Sequence, residues 1–154
     1  MSPKMDSLLN RLRAGIARLF PGRGARLSPT TRLGRLGEDE AVRHLKAEGY
    51  EILVRNYRIK QGEIDIVAFR DGVLAFVEVR AQTAPAMVDP LETITRRKQR
   101  RVIKAAQAYV TENELGRRDV AMRFDVITVL FDRQGRRQEI NHLEGAFHES
   151  SRGF

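Results

Sequence analysis

Hydrophobic and polar residues alternate through residues 62–80, and this alternation predicts two β-strands joined by a tight turn. The dipeptide Asp71-Gly72 interrupts it, and such a pair favours a two-residue type I′ turn, in which both residues need a positive φ. A two-residue turn also sets which residues face each other across the hairpin. One face is then wholly apolar, and we expect a helix to bury it. Its members are Ile64, Ile66, Ala68, Ala75, Val77 and Val79.

The other face of the hairpin is apolar near the turn and charged at its open end. The register places Asp65 opposite Glu78, with Cβ atoms roughly 4.5–5.5 Å apart, where two carboxylates repel each other. A divalent cation would reverse the sign of that interaction, because hard cations bind carboxylate oxygens. The alternative is a solvated surface cluster in which Arg80 and Arg58 neutralise the pair. The hairpin alone does not separate these two interpretations.

Periodicity in the rest of the chain predicts helices and strands in alternation. In chain order these are a helix over 33–48, a strand over 51–59, the hairpin, a helix over 91–113, a strand over 122–131 and a short edge strand over 139–143. Gly49 is expected to end the first helix, and Gln134-Gly135 to turn the chain before the last strand. Residues 81–90 carry two prolines and are expected to form a loop at the open end of the hairpin.

We interpret residues 1–32 as a basic, flexible N-terminal extension, followed by the α/β domain at 33–148 and a tail at 149–154. Six apolar residues of the extension fall on one helical face, namely Leu8, Leu9, Leu12, Ile16, Leu19 and Phe20. A basic amphipathic helix of this kind would bind a membrane surface or a polyanion. We favour a loosely ordered extension instead, because chain termini are usually poorly tied down.

Composition narrows the class of protein. The chain has 154 residues, enough for one domain with a core, and no cysteine for a disulfide or a zinc–thiolate site. No apolar run approaches the ~20 residues of a membrane span, so we expect a cytoplasmic protein without stable membrane insertion. The net charge is +8, but residues 1–37 hold eight Lys or Arg and one acid, so the remainder is nearly neutral. Only a local patch can therefore support a nucleic-acid function.

Such a patch lies on the predicted helix over 91–113. Six cations occur there within nine residues and without an intervening acid: Arg96, Arg97, Lys98, Arg100, Arg101 and Lys104. A phosphate backbone is the partner we favour, and the alternative is a solvated face paired with acids elsewhere. The three histidines lack metal-ligand spacing, and no nucleophile elbow, P-loop or dinucleotide-binding motif occurs.

The order of the predicted elements and several short motifs resemble the PD-(D/E)xK nucleases, and most closely the YraN family of bacterial proteins described as predicted endonucleases. The matching segments are LGRLGEDEAVRHLKAEGYEIL (33–53), RNYR (55–58), GEIDIVA (62–68), FVEVR (76–80), KQRR (98–101) and RFDVITV (123–129). The resemblance implies an α/β fold with a restriction-endonuclease-like mixed sheet flanked by helices. Its order would be α-β-β-β-α-β with an extra edge strand.

The resemblance also implies roles for individual residues. Asp65 and Glu78 match the metal-binding carboxylates, with Mg²⁺ or Mn²⁺ as the cofactor. Glu38 matches the first-helix acid of the similar archaeal Holliday-junction resolvases, as a third ligand or an outer-shell group. Arg80 occupies the position of the motif lysine and is included among the catalytic residues. Glu63, opposite Arg80 in the predicted register, is an outer-shell partner.

Arg80 is a departure from the general motif, because an arginine stays charged and cannot act as a base. It could still stabilise a charged transition state, with the attacking water activated by the metal or by a substrate phosphate. Lys98 is a candidate source of the missing amine, but it lies on another predicted element and the sequence does not place it near the site.

We therefore expect a metal-dependent endonuclease that acts on structured or branched DNA. The expected partners are nucleic acid and, in a homodimer, a second copy of the chain. Two alternatives stay open. One is a nuclease-like protein that binds nucleic acid without cutting it, and the other is a protein-interaction module whose charged face docks a partner.

Overall fold

The computed structural model describes residues 3–15, 29–86, 89, 92, 94–115 and 120–149. Its helices are α1 (Pro3–Gly15), α2 (Pro29–Ala47) and α3 (Arg96–Glu112). Its strands are β1 (Glu51–Ile59), β2 (Gly62–Arg70), β3 (Val73–Thr83), β4 (Ala121–Phe131) and β5 (Arg137–Phe147). They form one sheet in the order β1-β2-β3-β4-β5, with β3 and β4 parallel and the other neighbours antiparallel. The predicted mixed sheet flanked by helices is confirmed.

Helices cover both faces of this sheet. On one face, Ala41 and Leu45 of α2 lie in a buried cluster with apolar residues of β2, β3 and β4. On the other face, Val102, Ala105 and Tyr109 of α3 lie in a second cluster. The β2–β3 hairpin is thus buried on both sides, which explains its nearly continuous apolar sequence. None of the described helices is both long and apolar enough to cross a membrane.

The N-terminal extension is helical where the structure describes it. The side chains of Leu8, Leu9 and Leu12 are buried in the same cluster as α3. Each buried leucine contributes roughly 1.5–3 kcal/mol toward holding α1 on the domain. The described part of the extension is therefore packed, which differs from the loose order that we favour from the sequence. Residues 16–28, with the other three apolar positions, and the tail from 150 onward lie outside the described residues. The domain boundary at residue 32 stays a prediction.

The hairpin has the predicted two-residue turn, with a φ of 50° at Asp71 and 79° at Gly72. The predicted register holds for the pairs nearest the turn, the last of which joins Ile66 and Val77. The turn dipeptide therefore determines the alignment of the two strands, as the positive φ angles require.

Beyond that last pair, β2 and β3 diverge. The two further predicted pairs, Asp65 with Glu78 and Glu63 with Arg80, are not partners in the ladder. β3 instead follows β4 in parallel pairing as far as its end, while β2 stays with β1. The backbone N–H of Val79 donates a hydrogen bond of 2.8 Å to Oδ2 of Asp65. The Asp65 side chain therefore lies in the gap between the separating strands.

Side chains of β1 and β2 change faces at this gap. Ile66 packs on the α2 side, whereas Ile64 packs on the α3 side, so the predicted apolar face is wrong at Ile64. On β1, Asn56 stands beside Asp65 and has a φ of 54°, a left-handed conformation that asparagine tolerates better than most residues. Asp65 lies at this change of faces, and its Oδ2 accepts the hydrogen bond from the Val79 N–H of β3.

The predicted boundaries of three elements need correction. α2 begins at Pro29 rather than at residue 33. α3 begins at Arg96 rather than at residue 91, because the Thr95 side chain caps it by accepting the backbone N–H of Lys98 at 3.2 Å. β5 covers Arg137–Phe147 rather than 139–143, because its pairing with β4 continues to the end of the strand. Most residues of this edge strand are exposed or half-buried, so hydrophobic and polar residues do not alternate clearly and the pattern did not indicate its full length.

Glycines bring the helices close to the sheet. Gly49 follows α2 with a φ of 84°, as predicted for the end of that helix. A Cβ atom at Gly37 would lie 2.6 Å from the Cβ of Ala81, and one at Gly62 would lie 1.9 Å from the carbonyl oxygen of Arg101. The backbone of Gly37 therefore lies directly against the Ala81 side chain, and that of Gly62 against the backbone of Arg101. These contacts bring the first half of α2 and the cationic half of α3 to the open end of the hairpin.

Candidate active site

An acidic pair lies where β2 and β3 diverge. Glu78 is buried, with 1% of its surface exposed, and Asp65 is partly buried. Their carboxyl groups are close enough that the charge of Asp65 raises the pKa of Glu78. The structure thus brings together the two acids that the sequence selected as metal ligands.

Burial dominates the electrostatics of this pair. Burial first, and then the Asp65 carboxylate, raise the pKa of Glu78 to about 7, although Lys98 and Arg80 oppose the shift. Burial also raises the pKa of Asp65, against the lowering effects of the Val79 N–H and of Lys98. Two adjacent acids in a buried setting resist joint ionisation, so the pair takes up a proton as the pH falls below about 7.

Two cations approach the Glu78 carboxylate. Nζ of Lys98 forms an ion pair with Oε1, and Nε of Arg80 lies 3.8 Å from the same oxygen. Neither Oε1 nor Oε2 accepts a regular hydrogen bond from any described residue. The two cations compensate Oε1, whereas Oε2 has no donor among the described residues. Buried carboxylate oxygens are normally satisfied by donors, so folding alone does not explain this arrangement.

Asp125 on β4 shows how the same fold treats a structural acid. It is completely buried, yet Arg123 donates to both of its oxygens at 2.8 Å, Nε2 of His142 lies 2.9 Å from Oδ2, and the Gly145 N–H donates at 3.0 Å. Burial would raise the pKa of Asp125, but these hydrogen bonds lower it overall. We had assigned no role to this cluster. Its satisfied geometry identifies it as part of the folding framework.

Glu38 lies beside the acidic pair but is held by β1. Nδ2 of Asn56 donates to its Oε2 at 3.0 Å, and Nη2 of Arg55 lies 3.8 Å from that oxygen. Burial raises the pKa of Glu38, the Asn56 hydrogen bond lowers it, and the nearby Asp65 charge raises it. Among the described residues, no three His, Cys, Asp or Glu side chains form a group that could hold a metal ion. The assignment of Glu38 as a third ligand or outer-shell group stays a prediction.

Glu63 is paired with β1 instead. It lies opposite Arg58, and the distance from its Oε2 to Nε of Arg58 is 3.6 Å. Its predicted outer-shell contact with Arg80 stays a prediction. Because Arg58 is 71% exposed and engages Glu63, and because Glu78 is buried, the solvated surface cluster is the weaker of our two interpretations of the acidic pair.

Sequence reasoning missed two features of the site. Asn56 lies within a motif that we noted, but we gave it no role. An asparagine inside an otherwise regular strand was the available signal for a left-handed residue. Lys98 was grouped with the nucleic-acid-binding cations, and no pattern along the chain could place it against Glu78, since they lie on a helix and a strand joined by a long connection.

The remaining cations of α3 form a surface that we call the cationic face. It consists of Arg96, Arg97, Arg100, Arg101 and Lys104, all exposed. None of the five forms an ion pair with a described residue, whereas Lys98 turns inward to Glu78. The described residues therefore provide no acids for the paired, solvated face that was our alternative. A cationic surface of this kind suits a phosphate backbone.

The fold and the site define the class of protein. A mixed five-stranded sheet between helices, with an acidic pair where the central hairpin opens, is a restriction-endonuclease-like α/β domain. Residues 37–129 match the family model described as "Uncharacterised protein family UPF0102". The chain belongs to this family, which agrees with the YraN resemblance of its motifs. Every candidate site residue from Glu38 to Lys104 lies within the matched range.

Individual relatives agree with this assignment. A UPF0102 protein of Chlorobaculum parvum is 46% identical over 121 residues, covering 75% of this chain and 91% of that protein. One of Pelotomaculum thermopropionicum is 45% identical over 115 residues, covering 75% and 94% respectively. One of Myxococcus xanthus is 42% identical over 114 residues, covering 74% and 87%.

Proposed function

We propose that this protein is a divalent-metal-dependent endonuclease that cleaves phosphodiester bonds in structured or branched DNA. The observation that supports this most directly is the acidic pair of Asp65 and Glu78. In this pair the buried Glu78 carboxylate is approached only by Lys98 and Arg80, both at Oε1, and its Oε2 has no donor among the described residues, beside a helix rich in exposed cations. Folding does not account for it, because Asp125 demonstrates that the same sheet can satisfy a buried acid fully.

Mg²⁺ or Mn²⁺ fits the donor set of this site. Mg²⁺ commonly takes one or two protein carboxylates and leaves the other positions to water and substrate phosphate. Asp65 and Glu78 would hold the ion. The Lys98 ammonium competes for Oε1 of Glu78, whereas Oε2 has no hydrogen-bond donor among the described residues. A ligand set of this kind does not require Glu38. When bound, the ion would supply Lewis-acid stabilisation of negative charge on the phosphate.

In the proposed hydrolysis a water oxygen forms a bond to phosphorus while the bond from phosphorus to one sugar oxygen breaks. The water loses a proton to solvent and the leaving oxygen takes one up, so one water yields one phosphate monoester and one hydroxyl. Arg80, 3.8 Å from Glu78, would act as a fixed cation toward the phosphate oxygens.

The cationic face would hold the DNA backbone during this reaction. Each phosphate neutralised by a lysine or arginine releases condensed counterions, which makes the binding dependent on salt. The preference for branched DNA rests on the resemblance to Holliday-junction resolvases.

The second candidate is a nuclease-like protein that binds nucleic acid without cutting it. Two observations favour it. Lys98 and Arg80 compensate the Glu78 charge, and the described residues contain no group of three metal-ligating side chains. Under this alternative the cationic face would bind DNA, and the acidic pair would be a remnant of a metal site.

Titration of Mn²⁺ into the wild-type protein and into Asp65→Asn, by calorimetry, tests the proposal. A fluorescent four-way DNA junction and a linear duplex of the same arms are incubated with both proteins, in Mn²⁺ or in EDTA. Mn²⁺ binding and Mn²⁺-dependent cleavage by wild type, both lost in Asp65→Asn, would support the endonuclease. Junction binding by a wild type that neither binds Mn²⁺ nor cleaves would support the second candidate.

A further inference from the structure

We propose that Lys98 of α3 is a catalytic residue of this site, and that its ammonium group does the work usually expected of a lysine on β3. This inference rests on the proposed endonuclease function. It assigns to the helix that faces DNA one of the groups that contact the scissile phosphate.

The position of Lys98 separates it from the other α3 cations. Its side chain is 28% exposed and pairs with Glu78, while the five members of the cationic face are exposed. A lysine that served only to bind the DNA backbone would remain in solvent with them. Turning inward costs side-chain conformational entropy, which the ion pair with a buried carboxylate offsets.

The local structure holds Lys98 in this position. The backbone N–H of Lys98 donates to the Thr95 side chain that caps the helix, so Lys98 lies in the first turn of α3. One turn later, the carbonyl of Arg101 lies against Gly62, and Val102 is buried beneath the helix. These contacts anchor the beginning of α3 to the hairpin. The distance between Lys98 and Glu78 is therefore set by packed backbone and not by a flexible loop.

Arg80 and Lys98 approach the same Oε1 of Glu78, but they offer different chemistry. A guanidinium is a planar fork, whereas an ammonium is a compact point charge with three rotatable donors. The ammonium can turn a donor from the carboxylate to an adjacent phosphate oxygen by rotating about one bond, whereas a guanidinium would have to reorient its whole planar group. In the reaction we assign to it a charge-stabilising role: Lys98 stays protonated and donates to a non-bridging phosphate oxygen while the water oxygen bonds to phosphorus.

The arrangement also links DNA binding to the site. Lys98 belongs to the same two turns of helix as Arg97 and Arg101, which face outward. A backbone that docks on the cationic face would bring its phosphates toward the ammonium. When substrate and metal occupy the site, Lys98 would exchange its contact with Glu78 for one with the phosphate.

Three variants of Lys98 and one control test this inference. Lys98→Gln removes the cation, and Lys98→Arg keeps the charge and protects the fold should the first variant unfold. The double variant Lys98→Gln with Arg80→Lys returns an amine to the same carboxylate from β3. Lys46→Gln, at an exposed lysine on α2, is the control for loss of one positive charge. Each is assayed for junction cleavage in Mn²⁺, for Mn²⁺ affinity and for its melting temperature in EDTA.

We expect Lys98→Gln and Lys98→Arg to cleave about a hundredfold more slowly than wild type, the scale found for removal of one charge-stabilising donor. Mn²⁺ affinity should stay the same or rise in Lys98→Gln, because a competing cation has gone. The double variant should recover at least tenfold, and Lys46→Gln should match wild type. A purely structural lysine would not produce loss of cleavage with retained metal binding, nor rescue from β3.

Several results would overturn the inference. Cleavage by both Lys98 variants within about threefold of wild type, with Asp65→Asn inactive, would exclude Lys98 and leave the proposed function in place. Failure of the double variant to recover, when it melts and binds Mn²⁺ like wild type, would show that an amine beside Glu78 is not what the reaction lost, and would contradict the inference. A wild type that neither binds Mn²⁺ nor cleaves would overturn the proposed function and this inference together.

Discussion

Replacing Asp65 with asparagine should not destabilise this protein in the absence of metal, although it removes a partly buried, hydrogen-bonded side chain. The amide keeps an oxygen for the Val79 N–H, which now donates to Oδ2. It also presents an N–H to Glu78, whose oxygens lack a regular hydrogen bond from the described residues. At a pH where Glu78 is ionised, the substitution exchanges a charge repulsion for a hydrogen bond from the amide to the Glu78 carboxylate, at nearly constant volume.

The magnitude follows from the pKa shift of Glu78. Its folded pKa is about 7 against an ordinary 4.5, so the buried acid destabilises the fold increasingly as pH rises from 4.5 to above 7. At about 1.4 kcal/mol per pKa unit, the full cost is on the order of 3 kcal/mol. Burial is the larger cause and persists in the variant. We therefore assign about 1 kcal/mol to the Asp65 charge, which corresponds to about 2–4 °C in melting temperature.

The assay is thermal unfolding of both proteins in EDTA at pH 5 and pH 8, repeated with millimolar Mn²⁺. Asp65→Asn should melt as high as wild type or higher at pH 8. Its advantage should shrink at pH 5, where the wild-type pair holds its proton. Mn²⁺ should raise only the wild-type midpoint, because it binds the native state of that protein alone. A variant that melts several degrees lower at pH 8, with no response of either protein to Mn²⁺, would make Asp65 a structural residue and refute the reasoning.

Three further predictions use the same structure. Asp125→Asn makes the same substitution at a fully hydrogen-bonded buried acid, and it should lower the free energy of unfolding by about 3 kcal/mol at pH 7 in a denaturant titration. Because the Asp125 pKa is lowered in the fold, this difference should narrow as pH falls through that pKa. Equal stability of the two proteins would contradict a structural role for Asp125. Changing the four arginines of the cationic face to alanine should reduce the slope of log affinity against log salt by up to about 0.9 per lost phosphate contact. Fluorescence anisotropy with duplex DNA measures this slope, and an unchanged slope would exclude this face as the binding surface. Gly62→Ala should cost at least about 2 kcal/mol of stability, because the new methyl group would meet the Arg101 carbonyl at 1.9 Å, whereas Gly34→Ala, in open space on α2, should not destabilise the protein.

The alignment of the central hairpin was readable from the chain because its determinants are local. Asp71 and Gly72 are adjacent, their preference for positive φ selects one turn type, and the turn sets the pairs nearest to it. The two acids of the candidate site were also recognisable. They lie at the end of the hairpin where an apolar pattern gives way to charge, and their motifs resemble a known family.

The separation of β2 and β3 could not be read in this way. It accompanies the pairing of β3 with β4, a strand about fifty residues away in sequence, and the left-handed conformation of Asn56 in β1. Local alternation predicted a continued ladder and placed Ile64 on the wrong face. The register beyond Ile66 is decided by competition between neighbouring strands for the same backbone groups, which a single hairpin does not contain.

The sequence by itself therefore determined the fold class, the turn, the acidic pair and the cationic helix, since periodicity and short motifs act over a few residues. Only the tertiary structure decided which acids and cations meet. It buried Glu78 without regular hydrogen bonds from the described residues, and it surrounded Asp125 with three hydrogen-bonding neighbours. It also placed the Glu38 side chain against Asn56 of β1 and turned Lys98 inward to Glu78. Burial and the distance between charges are properties of packed elements remote in the chain, and they govern the pKa values and contacts on which the proposed chemistry depends.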